Sequence, residues 1–91
     1  MLKRKYQGIL KAIYKKFGRE NQLRKLHEEC IEFLAAHERY KKNAIPRGLI
    51  ISLMKDEIVD VFIVVTQFFL SDAEFRELVY QKIDFKKGRL L

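Results

Sequence analysis

The stretch Leu49–Leu70, LIISLMKDEIVDVFIVVTQFFL, is the most apolar part of this 91-residue chain and decides its fold. It is apolar nearly all round, which is typical of a helix at the centre of a helical bundle. Glu57 and Asp60 interrupt it three positions apart, so they share one helix face. Neither acid has a basic residue three or four positions away. Because an unpaired buried carboxylate is costly to desolvate, the stretch predicts a cation between these acids.

The rest of the chain also favours helices. One proline and four glycines disfavour a turn-rich β-architecture, and the apolar residues recur at helical spacing. We therefore predict a single all-α domain over 1–91 with four helices, over about 2–17, 21–42, 47–70 and 72–87. A chain this short with so many large apolar side chains is expected to bury some of them against another copy of itself.

Turn and capping residues set the predicted helix ends. Gly18 suits the left-handed residue that closes the first helix, and Asn21 suits the cap of the second. Pro46 marks the clearest break between helices. Ser71–Glu74 has the pattern of a capping box that starts the fourth helix, and Gly88 is expected to end it.

A second group of acids lies on the second predicted helix, in KLHEECIEFLAA. Glu29 and Glu32 are three apart and share a face, and two small alanines beside Glu32 leave room for a ligand or a close helix. The second and third helices are the natural pair to bring the two acid pairs together. Four facing carboxylates repel one another unless a cation joins them.

The ligand chemistry selects the ion. Carboxylate oxygens with no cluster of histidine or cysteine favour Mg²⁺ or Mn²⁺ over Zn²⁺. The alternative for the second helix is a solvated acidic face with the i,i+4 ion pairs Arg24–Glu28 and Lys25–Glu29. That alternative does not extend to Glu57 and Asp60, because neither has a basic neighbour three or four residues away.

Other catalytic or metal motifs are incomplete. His27-Glu28-Glu29-Cys30-Ile31 begins like the zinc motif H-E-x-x-H, but Ile31 occupies the place of the second histidine. His27 and His37 are expected at the edge of the core, and Cys30 in the core. A lone cysteine cannot form an internal disulfide and fits a reducing compartment.

Basic residues crowd the first quarter of the chain and its end, and the net charge is +7. Such a field favours polyanions such as nucleic acid, acidic lipid headgroups or nucleotide phosphates. The longest apolar run, Val61–Val65, is far shorter than a membrane span, and no signal peptide is recognisable. We therefore expect a soluble cytoplasmic protein without membrane association. A small basic helical nucleic-acid-binding protein remains an alternative, although no recognition-helix signature is present.

The acid pattern resembles that of a known family. Glu28-Glu29-x-x-Glu32, 24 intervening residues and Glu57-x-x-Asp60 are similar to the E-E-x-x-E…E-x-x-D signature of MazG-like all-α nucleoside triphosphate pyrophosphohydrolases.

The likeness covers about 22–89. Gln22-Leu23-x-x-Leu26 ahead of the first acids is similar to the family, as are Asp60-Val61 before an apolar run and the basic tail Lys82–Arg89. The chain departs from the family at Lys86, where the family's closing segment often carries asparagine.

The resemblance implies a four-helix unit, assembled as a dimer or a dimer of dimers. It also implies Mg²⁺-dependent hydrolysis of a (d)NTP to (d)NMP and pyrophosphate. The implied metal ligands are Glu29, Glu32, Glu57 and Asp60. One of the acids Glu28, Glu29 and Glu32 is implied to orient or deprotonate the attacking water. Lys82, Lys86 and Arg89 are implied to contact the phosphates.

Two questions stay open at this point. The acids could be structural, in a non-catalytic interaction protein that has lost any metal chemistry. The surface on which a base would stack is also undecided. The candidates, which the helix patterns place more naturally in the core, are Phe17, Phe33, Tyr40 and Phe68.

Overall fold

The computed structural model describes residues 2–90 and consists of five helices joined by short connections. They are α1 (Arg4–Phe17), α2 (Arg19–Lys42), α3 (Arg47–Leu53), α4 (Lys55–Ser71) and α5 (Ala73–Leu90). No strand occurs between residues 2 and 90, which confirms the all-α class. The single domain predicted over 1–91 extends beyond the described part at both terminal residues.

Helix α4 is the central element, as its apolar composition predicts. It packs against each of the other four helices, and α2 is its most extensive partner. Val64, Gln67 and Phe68 are its buried residues. Since α2 and α4 carry the two acid groups of the sequence, this packing brings the groups to one region of the molecule.

The prediction of one helix over 47–70 is wrong, because the segment divides at Met54 into α3 and α4. Backbone hydrogen bonds of Met54 link the two helices. Met54 N–H donates to the Ile50 carbonyl at 2.9 Å, and the Met54 carbonyl accepts from Ile58 N–H at 3.0 Å. The break allows Ile50 and Met54 to pack with Ala36 of α2 in a buried cluster.

The other helix ends agree with the sequence in part. Gly18 separates α1 from α2 with a φ of 87°, as predicted, and Pro46 directly precedes α3. Asn21 is not the cap of α2, since this helix already begins at Arg19. Asp72 rather than Ser71 caps α5, because its Oδ1 accepts from Phe75 N–H at 3.0 Å. Helix α5 also continues through Gly88 to Leu90.

A second packing region joins α1, α4 and α5 through aromatic rings. Tyr14 of α1 meets Phe68 of α4 edge to face, with ring centroids 5.3 Å apart, and Phe68 lies 6.0 Å from Phe75 of α5. Phe69 and Tyr80 form a further edge-to-face contact at 5.8 Å. Such pairs add to the stabilisation from apolar burial. They hold α1 and α5 on the central helix.

Much of the predicted core is nevertheless exposed. Cys30, expected in the core, and both histidines, His27 and His37, expected at its edge, are exposed instead. Seven large apolar residues that recur at helical spacing in the first, second and fourth predicted helices are exposed too: Tyr6, Ile9, Phe17, Leu23, Leu34, Leu78 and Ile83. Five helices of this length enclose too small an interior to take in every apolar stripe.

The chain also has a larger surface and a larger radius than a compact domain of its size. The chain exposes 7652 Å² to solvent, whereas a compact monomer of its mass exposes about 5,600 Å². Its Cα radius of gyration is 15.7 Å, compared with about 12 Å for a compact domain of this length. None of the helices between residues 2 and 90 combines the length and apolar character needed to cross a bilayer.

Candidate functional site

Three carboxylates from two helices meet on one side of α4. Glu29 and Glu32 project from α2 and Asp60 from α4, and one oxygen from each lies within 4.8 Å of the others. We call these residues the acid cluster. They include three of the four metal ligands that the resemblance implies. The cluster exists because α2 lies along α4 in the register that sets Asp60 beside one turn of α2.

Glu57, the fourth implied ligand, is not brought into this group. It is half-buried one turn before Asp60. The division of the apolar segment at Met54 explains its position, because Asp56 and Glu57 thereby fall in the first turn of α4. Carboxylates are stabilised there by the unpaired backbone N–H groups of the helix N-terminus. Glu57 therefore has a structural reason for its charge that needs no metal.

Glu29 is the buried member of the cluster, with 7% of its surface exposed. Lys25 Nζ lies 3.0 Å from Glu29 Oε1, and the lysine side chain is about half exposed. This hydrogen bond and the charge of Glu29 raise the pKa of Lys25 above its usual range. The Lys25–Glu29 ion pair of the solvated-face alternative is thus present. It places one positive charge next to Glu29, on the side that faces solvent.

Glu32 experiences the repulsion that the acid pattern predicts. The charge of Glu29 is the main reason that the pKa of Glu32 lies above its usual value, with desolvation and Asp60 acting in the same direction. Lys25 opposes the shift. One lysine therefore leaves the negative charge of the cluster only partly compensated.

The acid cluster borders an open cleft of about 460 Å³ between α1, α2 and α4. The residues that line the cleft fall into three chemical groups. The charged group comprises Arg24, Lys25, Glu28, Glu29 and Asp60. The apolar group comprises Ile13, Phe17, Ile63 and Val64, and the amide group comprises Asn21, Gln22 and Gln67.

Hydrogen bonds at the α1–α2 junction hold Arg24 at the cleft. Asn21 Nδ2 donates to the Phe17 carbonyl at 2.6 Å, and the Arg24 guanidinium donates to Asn21 Oδ1 at 3.0 Å. Arg24 therefore bonds to Asn21 rather than to Glu28, with which the solvated-face alternative would pair it. A guanidinium held beside carboxylates in a cleft is suited to bidentate binding of phosphate oxygens.

The amide oxygen of Gln67 lacks a hydrogen-bond partner. This side chain is 3% exposed, and its Oε1 is buried without a donor within reach. The great majority of buried polar atoms in proteins are paired, so an unpaired amide beside a cleft calls for a reason.

The remaining predicted site residues lie in different places. Glu28 is exposed and lines the cleft next to the acid cluster. Lys82, Lys86 and Arg89 are exposed on α5 and do not line the cleft. Among the four aromatic candidates for base stacking, only Phe17 lines the cleft, and half of its surface is exposed.

The acid cluster fits a small divalent cation. Mg²⁺ binds oxygen ligands octahedrally at about 2.0–2.1 Å, so ligand oxygens lie about 3 Å apart when adjacent and about 4.2 Å apart when opposite. The three oxygens lie within 4.8 Å of one another, so the side chains would have to draw closer together to share one ion. All three donors are carboxylate oxygens, the hard ligands that this ion prefers.

Comparison of the chain with family models, with curated proteins and with solved structures finds no match.

Replacing Glu32 with glutamine should raise the melting temperature of the metal-free protein at neutral pH. The raised pKa of Glu32 means that its ionised form is disfavoured in the folded state, so removing the charge relieves repulsion from Glu29 and Asp60. The advantage should shrink as the pH falls through the raised pKa toward the ordinary value of 4.5, because the wild-type side chain then takes up a proton. Thermal unfolding of both proteins in EDTA across this pH range measures the effect.

The order of the two melting temperatures should reverse when Mg²⁺ is added, so that wild type melts above Glu32→Gln. Mg²⁺ bound only by the folded state raises the melting temperature, and Glu32→Gln would remove one of the three carboxylates that could hold the ion. An unchanged order at saturating Mg²⁺, or a less stable Glu32→Gln protein in EDTA, would contradict our assignment of Glu32. Glu38→Gln on the same helix, outside the acid cluster, is the matched control.

Proposed function

We propose that this chain is a Mg²⁺-dependent nucleotide pyrophosphohydrolase that hydrolyses a (d)NTP to the monophosphate and pyrophosphate. The observation that carries the proposal is the meeting of Glu29, Glu32 and Asp60 beside a cleft that also contains Arg24 and Lys25. Carboxylates for a metal next to cations for phosphates form the combination that a metal–triphosphate substrate needs. The resemblance of the acid spacing to MazG-like enzymes supports the same reaction.

The charged residues that line the cleft, and Glu32 beside it, each have a role in this proposal. Glu29, Glu32 and Asp60 hold the ion, which neutralises phosphate charge and lowers the pKa of water when bound. Arg24 donates hydrogen bonds to phosphate oxygens, and Lys25 moves from Glu29 to the phosphates once the cluster is neutralised.

Glu28 is the residue that we assign to the water. It lines the cleft next to Glu29 but lies outside the cluster of carboxylate oxygens. Its carboxylate is therefore free to accept the proton of a water that attacks the α-phosphorus. The bond from the α-phosphorus to the oxygen that bridges it to the β-phosphorus then breaks, and pyrophosphate leaves with that oxygen.

We further propose that the protein is a homodimer or a dimer of dimers, with a MazG-like four-helix unit in which α3 and α4 together correspond to the third helix. The support is the excess of about 2,000 Å² of surface over a compact monomer, which is the size of a permanent interface. A second cavity of about 520 Å³ is bordered by Cys30, Phe33, Leu34, Ile58 and Val61 and is almost wholly apolar. Light scattering measures the oligomeric state.

The test of the reaction is a panel of the eight common NTPs and dNTPs, incubated with Mg²⁺ and scored for pyrophosphate and monophosphate. We expect pyrophosphate release from at least one of them and none in EDTA. Release of orthophosphate instead would indicate cleavage at the γ-phosphate and contradict the proposed reaction. We place this activity in the cytoplasm, where the exposed Cys30 thiol stays reduced.

Nucleic-acid binding is the second candidate function. It is favoured by the net charge of +7 and by the exposed lysines and arginines of α1. Binding through those charges weakens steeply with salt because it releases counterions from the phosphate backbone. An affinity that is equal at low and moderate salt would remove this candidate. A non-catalytic interaction protein is the third, and it predicts no change in melting temperature on addition of Mg²⁺.

A further inference from the structure

The unpaired amide oxygen of Gln67 belongs to a side chain that lies on the same helix face as Asp60. Asp60, Ile63, Val64 and Gln67 all line the cleft, and they follow the i, i+3, i+4, i+7 spacing of one helix face. Asp60 and Gln67 are seven residues apart, which corresponds to about 10.5 Å along α4. An extended nucleotide covers a comparable distance between its phosphates and the far edge of its base.

The cleft surface between these two points is apolar. Ile63 and Val64 lie between Asp60 and Gln67 on α4, and Ile13 and Phe17 face the cleft from α1. Phe17 is half exposed, and Lys16 Nζ lies over one face of its ring, 5.5 Å from the ring centre, so we place a planar ligand ring against the other face. An apolar slot that holds a few polar groups is the usual form of a site for a small aromatic ligand.

Resting on the proposed function, we infer that Gln67 selects the nucleobase by accepting a hydrogen bond from an N–H group of the base edge. Its Oε1 is buried and has no donor from the protein, so the ligand supplies the missing donor. The terminal torsion of a glutamine is soft, so the amide turns toward the cleft at low cost. The base lies between Phe17 and the α4 face, and its phosphates reach the acid cluster.

The test measures binding rather than turnover. Calorimetry measures how tightly wild type and Gln67→Met bind each deoxynucleoside monophosphate. Deoxyribose 5-phosphate, which has no base, is measured in the same way. Methionine keeps the shape of the side chain but lacks the acceptor. Gln81→Met is the matched control, since Gln81 is exposed on α5 and does not line the cleft.

We expect at least one monophosphate to bind wild type more tightly than deoxyribose 5-phosphate does. Gln67→Met should bind that monophosphate about tenfold more weakly than wild type does, as loss of one hydrogen bond implies. Its affinity for deoxyribose 5-phosphate should be unchanged. The ligand-free variant should melt at or above wild type, because an unpaired buried polar atom has been removed. The Gln81→Met protein should behave as wild type in all three measurements.

A second measurement does not depend on the folding of a variant. The preferred monophosphate, with every hydrogen on the donating base nitrogen replaced by methyl, should bind wild type about tenfold more weakly. Equal binding of the methylated and parent nucleotides, or equal binding of every ligand to wild type and Gln67→Met, would overturn the inference. Base-selective binding without pyrophosphate release would support the role of Gln67 and contradict the proposed hydrolase activity. Pyrophosphate release without base-selective binding would support the hydrolase activity and contradict the role of Gln67.

Discussion

The Asp60→Asn protein is expected to lose about 10³-fold in metal-dependent pyrophosphate release, because a metal in such a site contributes several kcal/mol to the transition state. Asp60 is the only α4 residue among the carboxylates that meet in the acid cluster. Asparagine keeps the size of the side chain but removes its charge. The remaining acids both lie on α2, so the ion would lose its attachment to the second helix.

The matched control for this variant is Asp56→Asn. Asp56 is exposed in the first turn of the same helix and lies outside the cluster. We expect it to retain turnover close to that of wild type, and to lose at most a small part of its stability through the helix N-terminus. Glu57→Gln should likewise retain turnover. An Asp60→Asn protein as active as wild type, or equal losses in all three variants, would show that the cluster is not the site.

The second large effect is expected at Arg24. Replacing it with glutamine should lower kcat/KM for the triphosphate by about 10- to 100-fold, the value of a hydrogen bond to a charged group. Arg24 lines the cleft and is bonded to Asn21, which is itself bonded to the end of α1. The guanidinium is therefore held in place before substrate arrives, so little conformational freedom is lost on binding.

Arg89→Gln is the control for Arg24→Gln and also tests the phosphate contacts implied by the resemblance. Arg89 is exposed on α5, where its guanidinium carbon lies 5.6 Å from the centre of the Phe85 ring. If the cleft of a single chain binds the phosphates, Arg89→Gln should turn over substrate like wild type. A large loss in Arg89→Gln with none in Arg24→Gln would contradict our placement of the phosphates and would favour a tail that serves a neighbouring subunit.

The apolar pattern was sufficient to predict the helical class and the central position of α4. It failed at Met54, because no glycine or proline lies between 49 and 70 and the break depends on packing against Ala36. It also assigned Cys30 to the core. Periodicity shows that a helix has an apolar face, but in a small assembly of helices it does not show which part of that face another helix covers.

The site was predictable where charge and spacing coincide. Asp60 in an apolar helix and the Glu29/Glu32 pair indicated the acids that meet. Glu57, like Asp60, has apolar neighbours in sequence. It differs from Asp60 in lying in the first turn of α4, and the start of α4 was not predicted. Arg24 could not be selected from so many basic residues without the contact to Asn21. Gln67 left one signal, a polar residue in an apolar helix seven positions after Asp60, where the helix repeat returns it to the same face.

The most direct test of the central claim, that the acid cluster binds a divalent ion, is a titration with Mn²⁺ followed by electron paramagnetic resonance of the free ion. Wild type should remove one Mn²⁺ per chain from solution, Mg²⁺ should displace it, and Asp60→Asn should leave the ion free. A wild-type protein that leaves all the Mn²⁺ free, or an Asp60→Asn protein that binds it equally well, would contradict the claim.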